Sequence, residues 1–183
     1  SARGARVFDG VFYAHMAHTV RNGLRTLLLA YAGGRLERVP VRAGLERYYR
    51  QLARFSAAFA LLTDVTLLSV GGGLKARQRL SGRMADSLVA LYYASAVIKF
   101  WHDQGYPPEQ KPLVEWCLQR NLADLQGALR GAVDNFPVPA LRRPLRWLVF
   151  PPGHTRLAGP DDTLGRTVAA AIVEDTPLRD ADR

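Results

Sequence analysis

Between residues 45 and 66 apolar side chains recur at alternating intervals of three and four: Leu45, Tyr48, Leu52, Phe55, Phe59, Leu62 and Thr66. That rhythm puts all seven on one face of an α-helix and is incompatible with the two-residue period of a strand. Leu61, Val65 and Leu68 widen the stripe, which predicts a helix packed on more than one side. Gly71-Gly72-Gly73 ends it. A helix is expected over 44–70.

The rest of the chain follows the same period. Val20, Leu24, Leu27 and Tyr31 mark a helix over about 7–32, closed by Gly33-Gly34. A basic linker with Pro40 follows. A third helix is expected over about 74–104, burying Met84, Leu88, Leu91, Ser95 and Ile98 and ending at Gly105 before Pro107-Pro108. A fourth, over about 108–135, carries Leu118, Leu122, Leu125, Leu129, Val133 and Phe136 and ends before Pro137. A short piece spans Ala140 to Phe150. A last helix, about Asp161 to Val173, has Asp161 or Asp162 as its N-cap. No period-2 run with turn chemistry around it is present. The fold class read from this pattern is all-α. Short connections favour antiparallel neighbours, hence an up-down-up-down four-helix bundle with two additional short C-terminal helices. Residues 1–175 are read as one helical domain and 176–183 as a frayed tail.

Length and composition agree with one globular domain. The chain has 183 residues, 48% hydrophobic and 22% charged. Its apolar stretch from Phe55 to Val70 is short for a bilayer and contains Asp64, so no membrane-spanning helix is expected. The opening Ser1-Ala2-Arg3-Gly4 lacks a signal-peptide pattern and an initiator methionine, as expected of a segment cut from a longer protein. Cys117 is the single cysteine, which excludes an internal disulfide framework and a cysteine-based zinc site. It suits a reducing compartment.

The net charge is +9. Ten arginines and three acids fall within residues 1–60. Such an excess points to an anionic partner: lipid headgroups, an acidic protein face or nucleic acid. Two surfaces stand out. The piece from Pro139 to Phe150 has three arginines, no acid and an interfacial aromatic content, making Arg142, Arg143, Arg146, Trp147 and Phe150 candidates for contact with an anionic membrane surface. Arg35, Arg38, Arg42, Arg47 and Arg50 form a candidate basic interaction face with interleaved tyrosines. No helix-turn-helix, zinc-finger or RNA-recognition pattern accompanies them, so nucleic acid is the weaker reading.

The catalytic inventory is thin. Gly71-Gly72-Gly73 with Lys75 follows a helix rather than a strand and lacks the spacing of a phosphate loop. His15 and His18 share a helix face but have no acid at matching spacing, and His102 and His154 stand alone. Asp64 and Asp86 lie within apolar stripes, and structural ion pairs with Arg54 or Arg83 are favoured over a paired-carboxylate site. Ser56, Ser87 and Ser95 lack a nucleophile elbow and a histidine partner. No catalytic, cofactor-binding or metal residue is assigned.

Several words along the chain carry a resemblance. They are Arg47-Tyr48-Tyr49-Arg50-Gln51-Leu52-Ala53-Arg54-Phe55, Val70-Gly71-Gly72-Gly73-Leu74-Lys75, Leu80-Ser81-Gly82-Arg83-Met84-Ala85-Asp86, Leu91-Tyr92-Tyr93-Ala94-Ser95, Pro112-Leu113-Val114-Glu115-Trp116, Asn135-Phe136-Pro137, Val149-Phe150-Pro151-Pro152-Gly153 and Asp161-Asp162-Thr163-Leu164. Their order over about residues 10–175 resembles the C-terminal helical domain of large bacterial acyl-CoA dehydrogenases of the FadE type. Gly82 departs from the alanine expected there.

The resemblance implies a parent enzyme of fatty-acid β-oxidation that uses FAD, oxidises acyl-CoA to the trans-2-enoyl-CoA and passes electrons to an electron-transfer flavoprotein. The catalytic glutamate and the flavin motifs have no match here, so no cofactor is expected in this chain itself. It also implies the preceding catalytic domains as partners, homo-oligomerisation, and a bacterial cytoplasmic location with peripheral contact to the inner membrane. By analogy with the extra C-terminal domain of very-long-chain acyl-CoA dehydrogenases, the expected role is non-catalytic: oligomer packing and membrane-surface docking. The alternative is a basic helical module that binds an acidic protein or nucleic acid.

Overall fold

A computed structural model of the chain describes residues 44–152 and 156–173, together with 13–14, 17–18, 20–21, 23–24 and 28. Among them are five α-helices: α1 (Glu46–Ser69), α2 (Gln78–Asp103), α3 (Lys111–Asp134), α4 (Pro139–Val149) and α5 (Asp162–Val173). Two 3-10 segments, Gly71–Ala76 and Pro108–Gln110, lie between them. No strand occurs among the described residues. The all-α reading holds.

The stripe read from the sequence is the buried face of α1. Leu45, Tyr48, Leu52, Phe55 and Leu62 enter the core, and Thr66 is buried with its hydroxyl donating to the Leu62 carbonyl at 2.6 Å. By length and composition α1 is apolar enough to cross a membrane. Here that apolar face is spent on packing against α2 and α3. After α1 the three glycines form a 3-10 turn instead of the start of the next helix, with Gly71 at φ 52°. The third helix consequently starts at Gln78, later than the sequence pattern implies.

The end of α2 is fixed by its own chemistry. Gly105 takes the left-handed conformation at φ 78°, and its N–H donates to the His102 carbonyl. The Tyr106 N–H donates to the Trp101 carbonyl at 3.0 Å, completing a Schellman cap. The residues joined by that bond also pack: the Trp101 and Tyr106 rings meet edge to face at 5.2 Å, and the indole N–H donates to the Pro107 carbonyl at 2.9 Å. The chain therefore turns back sharply, and α3 lies alongside α2 in the most extensive helix pairing among the described residues. Their shared core includes Leu91, Ala94, Ile98 and Trp101 with Leu118, Leu122, Leu125 and Leu129. Burying these apolar side chains stabilises the fold by roughly 25 cal/mol per Å² of area removed from water.

Leu145 and Val149 anchor α4 to this core, and α5 packs on α3. Asp161 is the N-cap of α5: its Oδ1 accepts from the Leu164 N–H at 2.7 Å. The expected first helix falls largely outside the described residues. Those described there are helical, with His18 facing Asp64 at 3.9 Å and Gly23 beside Leu61. As one number rises the other falls, so this segment runs antiparallel to α1. The Gly33-Gly34 stop, the Pro40 linker and the 176–183 tail lie outside the described residues.

Candidate functional site

The basic-aromatic piece is a helix, and its two faces differ. Leu145 and Val149 point into the core; Arg142, Arg143, Arg146 and Trp147 are exposed, Trp147 by 48%. Two of the arginines are tied back to the end of α3. Arg142 Nε donates to the Phe136 carbonyl at 2.7 Å, and Arg146 lies 3.5 Å from the Asp134 carboxylate. Arg143 forms no ion pair among the described residues. Phe150 is not part of this surface. It is buried in the core, with the Arg130 guanidinium 4.9 Å above its ring. The turn into Pro151 carries it inward, past the last residue of α4.

The basic interaction face is only partly in view. Arg35, Arg38 and Arg42 lie outside the described residues. Arg47 is exposed and stacks over the Tyr48 ring at 4.4 Å; Arg50 is half-buried on the same helix.

The four ion-pair candidates lie in different settings. Arg54 is 1% exposed, with its guanidinium over the Phe55 ring at 4.2 Å and its Nε donating to Gln51 Oε1 at 3.2 Å. Burial pushes its pKa down to about 10. Asp64 faces His18, its Oδ2 3.9 Å from His18 Nε2. Asp86 is exposed, and neither it nor Arg83 forms an ion pair among the described residues. Arg83 instead lies across α3 where Gly131 lacks a side chain: a Cβ there would sit 3.1 Å from Arg83 Nε. The two aspartates do not form a carboxylate site, because Asp86 points to solvent on α2 while Asp64 is turned to the N-terminal segment.

The other candidate groups resolve into local structure. Ser87 and Ser95 donate to the Arg83 and Leu91 carbonyls within α2. His102 contacts Asp103 and the Tyr106 ring. His15 and His154 lie outside the described residues, and no cluster of three metal-binding side chains occurs among those described. Cys117 is half-buried, and burial pushes its thiol pKa up.

A surface missed in the sequence lies on the back of α2. Leu88, expected in the core, is 55% exposed, and Val89, Tyr92, Tyr93 and Phe100 are at least half exposed beside it. The core-facing side of the same helix holds Leu91, Ala94 and Ile98. The signal was present: from Ser87 to Ile98 the sequence has no charged residue on any side. A helix apolar all round is one that is covered all round. Next to it, Tyr49, Ala53, Ser56 and Phe59 of α1 join Leu88 and Tyr92 to line a groove of about 490 Å³.

Two further clefts lie along α3 beneath the 156–159 strap, of about 280 and 580 Å³. A flavin dinucleotide needs a bed for its ring system and a cradle for its pyrophosphate. These clefts, each formed by helix faces and one strap, do not fit it, and no dehydrogenation step is derived for this chain.

The structure is thus an all-α arrangement that exposes an apolar face on α2 and a basic face on α4. The chain belongs to the family described as acyl-CoA dehydrogenase, C-terminal, bacterial type, which matches residues 1–181. No solved structure matches it.

Proposed function

We propose that this chain is a non-catalytic C-terminal domain of an FAD-dependent acyl-CoA dehydrogenase of fatty-acid β-oxidation, and that it packs the enzyme's catalytic oligomer and docks it on anionic membrane. The observation that carries the reading is the exposed apolar face of α2 over Leu88, Val89, Tyr92 and Tyr93, within a stretch free of charge. Contiguous apolar area of that kind marks an interaction site. In the parent enzyme that face meets the preceding catalytic domains or the second subunit. The exposed arginines and Trp147 of α4 are the docking side, with Arg143 free to reach a lipid phosphate and Trp147 at headgroup depth. The enzyme then works in the bacterial cytoplasm at the inner membrane and hands electrons to an electron-transfer flavoprotein.

The test compares the full enzyme with and without this domain. Long-chain acyl-CoA oxidation is assayed with an artificial electron acceptor, in solution and with anionic vesicles. The packing role requires that truncation lower the oligomeric state or the activity in solution. The docking role requires that Arg143→Glu with Trp147→Ala abolish co-sedimentation with phosphatidylglycerol vesicles while solution activity stays unchanged. Equal sedimentation with neutral and anionic vesicles at low salt overturns docking.

A further inference from the structure

A second site stands apart from both surfaces. Where the first turns of α1 pass the middle of α3, Arg47, Tyr48, Gln51, Gln119, Leu122, Leu157 and Ala158 line a cleft of about 280 Å³. Among the described residues no carboxylate lines it. Tyr48 is 6% exposed, and its hydroxyl oxygen accepts from Gln119 Nε2 at 2.9 Å and from Arg47 Nη2. Both lone pairs are then occupied, so the phenolic hydrogen is left to donate. Turning the Gln119 amide over satisfies that hydrogen and leaves the Gln119 NH₂ as the unused donor instead. Either way the pair presents a donor that no acceptor among the described residues takes up. Gln51 repeats the pattern: its Oε1 accepts from Arg54 Nε, which leaves its NH₂ group. Arg47 makes no ion pair among the described residues.

The opposite wall is apolar and firmly held. Leu122 forms the floor. Leu157 is pinned over it because its N–H donates at 2.7 Å to Oε1 of Gln126, an amide 3% exposed. A cleft with one planar guanidinium, surplus donors and two leucines asks for a ligand with an acceptor head of one negative charge and a short apolar body. We infer that the Arg47–Tyr48–Gln119 cleft binds a short aliphatic carboxylate, the head on Arg47 and the Tyr48–Gln119 pair and the chain on Leu122 and Leu157. One guanidinium matches a carboxylate fork; a phosphate dianion would ask for further cations. The inference does not depend on the packing or docking roles proposed above.

The test is a titration of the full chain with hexanoate, followed by ¹H–¹⁵N NMR. For a ligand this small the dissociation constant is on the order of 1 mM. The side-chain amide signals of Gln51 and Gln119 and the backbone signals around 47–51, 119–122 and 157–158 are expected to shift and saturate together. Tyr48→Phe keeps the ring and removes the hydroxyl, and is expected to weaken binding about tenfold. Ala158→Trp, an exposed change at the mouth, blocks the cleft without touching the core and is expected to abolish the shifts. Hexanol and inorganic phosphate are the controls, and neither should saturate these signals. The inference is overturned if hexanoate shifts never saturate, if they spread evenly over the basic surface, if hexanol or phosphate binds as well, or if Ala158→Trp binds like the wild type.

Discussion

Arg54 occupies a place where the helical stripe would accept a leucine. Its stem and guanidinium fill core space against Phe55, so its worth is packing as much as charge. Arg54→Ala is expected to destabilise the chain by about 2–4 kcal/mol. Arg54→Met should cost distinctly less, because it restores most of the volume. Urea midpoints for the three proteins decide this; equal losses for Ala and Met would assign the cost to the guanidinium. Cys117 tests burial in another way. With its thiol pKa raised by desolvation, it holds less thiolate at neutral pH than an exposed cysteine. Its reaction with a disulfide reagent at pH 7.5 should be slower than that of free glutathione by roughly tenfold or more, and urea should remove the difference. The stabilising preference for the neutral thiol is present below pH 9.0 and is lost as pH rises through the higher folded value. Cys117→Ala should flatten that part of the stability profile. The burial of Leu62 and of Leu118 follows from position within apolar stripes. The partners of Asp64 and Asp86 do not, because a stripe says which face is inward and not which neighbour stands opposite.

The helices were legible wherever stripe and stop coincided. Leu118, Leu122, Leu125, Leu129, Val133 and Phe136 are all buried as their spacing requires. The Gly105 and Asp161 caps likewise form where the sequence put them. Boundaries moved at the 3-10 segments Gly71–Ala76 and Pro108–Gln110, which put the starts of α2 and α3 later than the pattern implies. Glycine inside a helix makes a sharper prediction. Nothing lies within 4 Å of a Cβ built at Gly82, on the exposed side of α2. Gly82→Ala should stabilise the chain by about 0.5–1 kcal/mol. Gly131→Ala should fail to do so, because its methyl would displace Arg83. Thermal melts of the two variants separate the cases. If Gly82→Ala melts below the wild type, that face of α2 is more crowded than its surroundings indicate.

At the scale of the molecule, the back of α2 is the feature with the widest consequence. Tyr92→Glu with Leu88→Lys places opposite charges one turn apart on an exposed face, and should leave folding within about 0.5 kcal/mol of the wild type. The same pair should break self-association of the domain and of the full enzyme, read by light scattering. An unchanged oligomer would remove this face from the packing role.

Period and punctuation were enough to establish helices among the described residues and the inward faces of α1 and α3, since these depend on local geometry, and the order of the motifs carried the resemblance to the family. Tertiary structure alone decided the rest. It showed that Leu88 looks outward while Leu91 looks inward, that Phe150 turns into the core, and that Arg47, Tyr48 and Gln119 close one cleft with Leu157. Those outcomes depend on which neighbours cover which faces, and a helix apolar on every side leaves that choice open until its partners are in place.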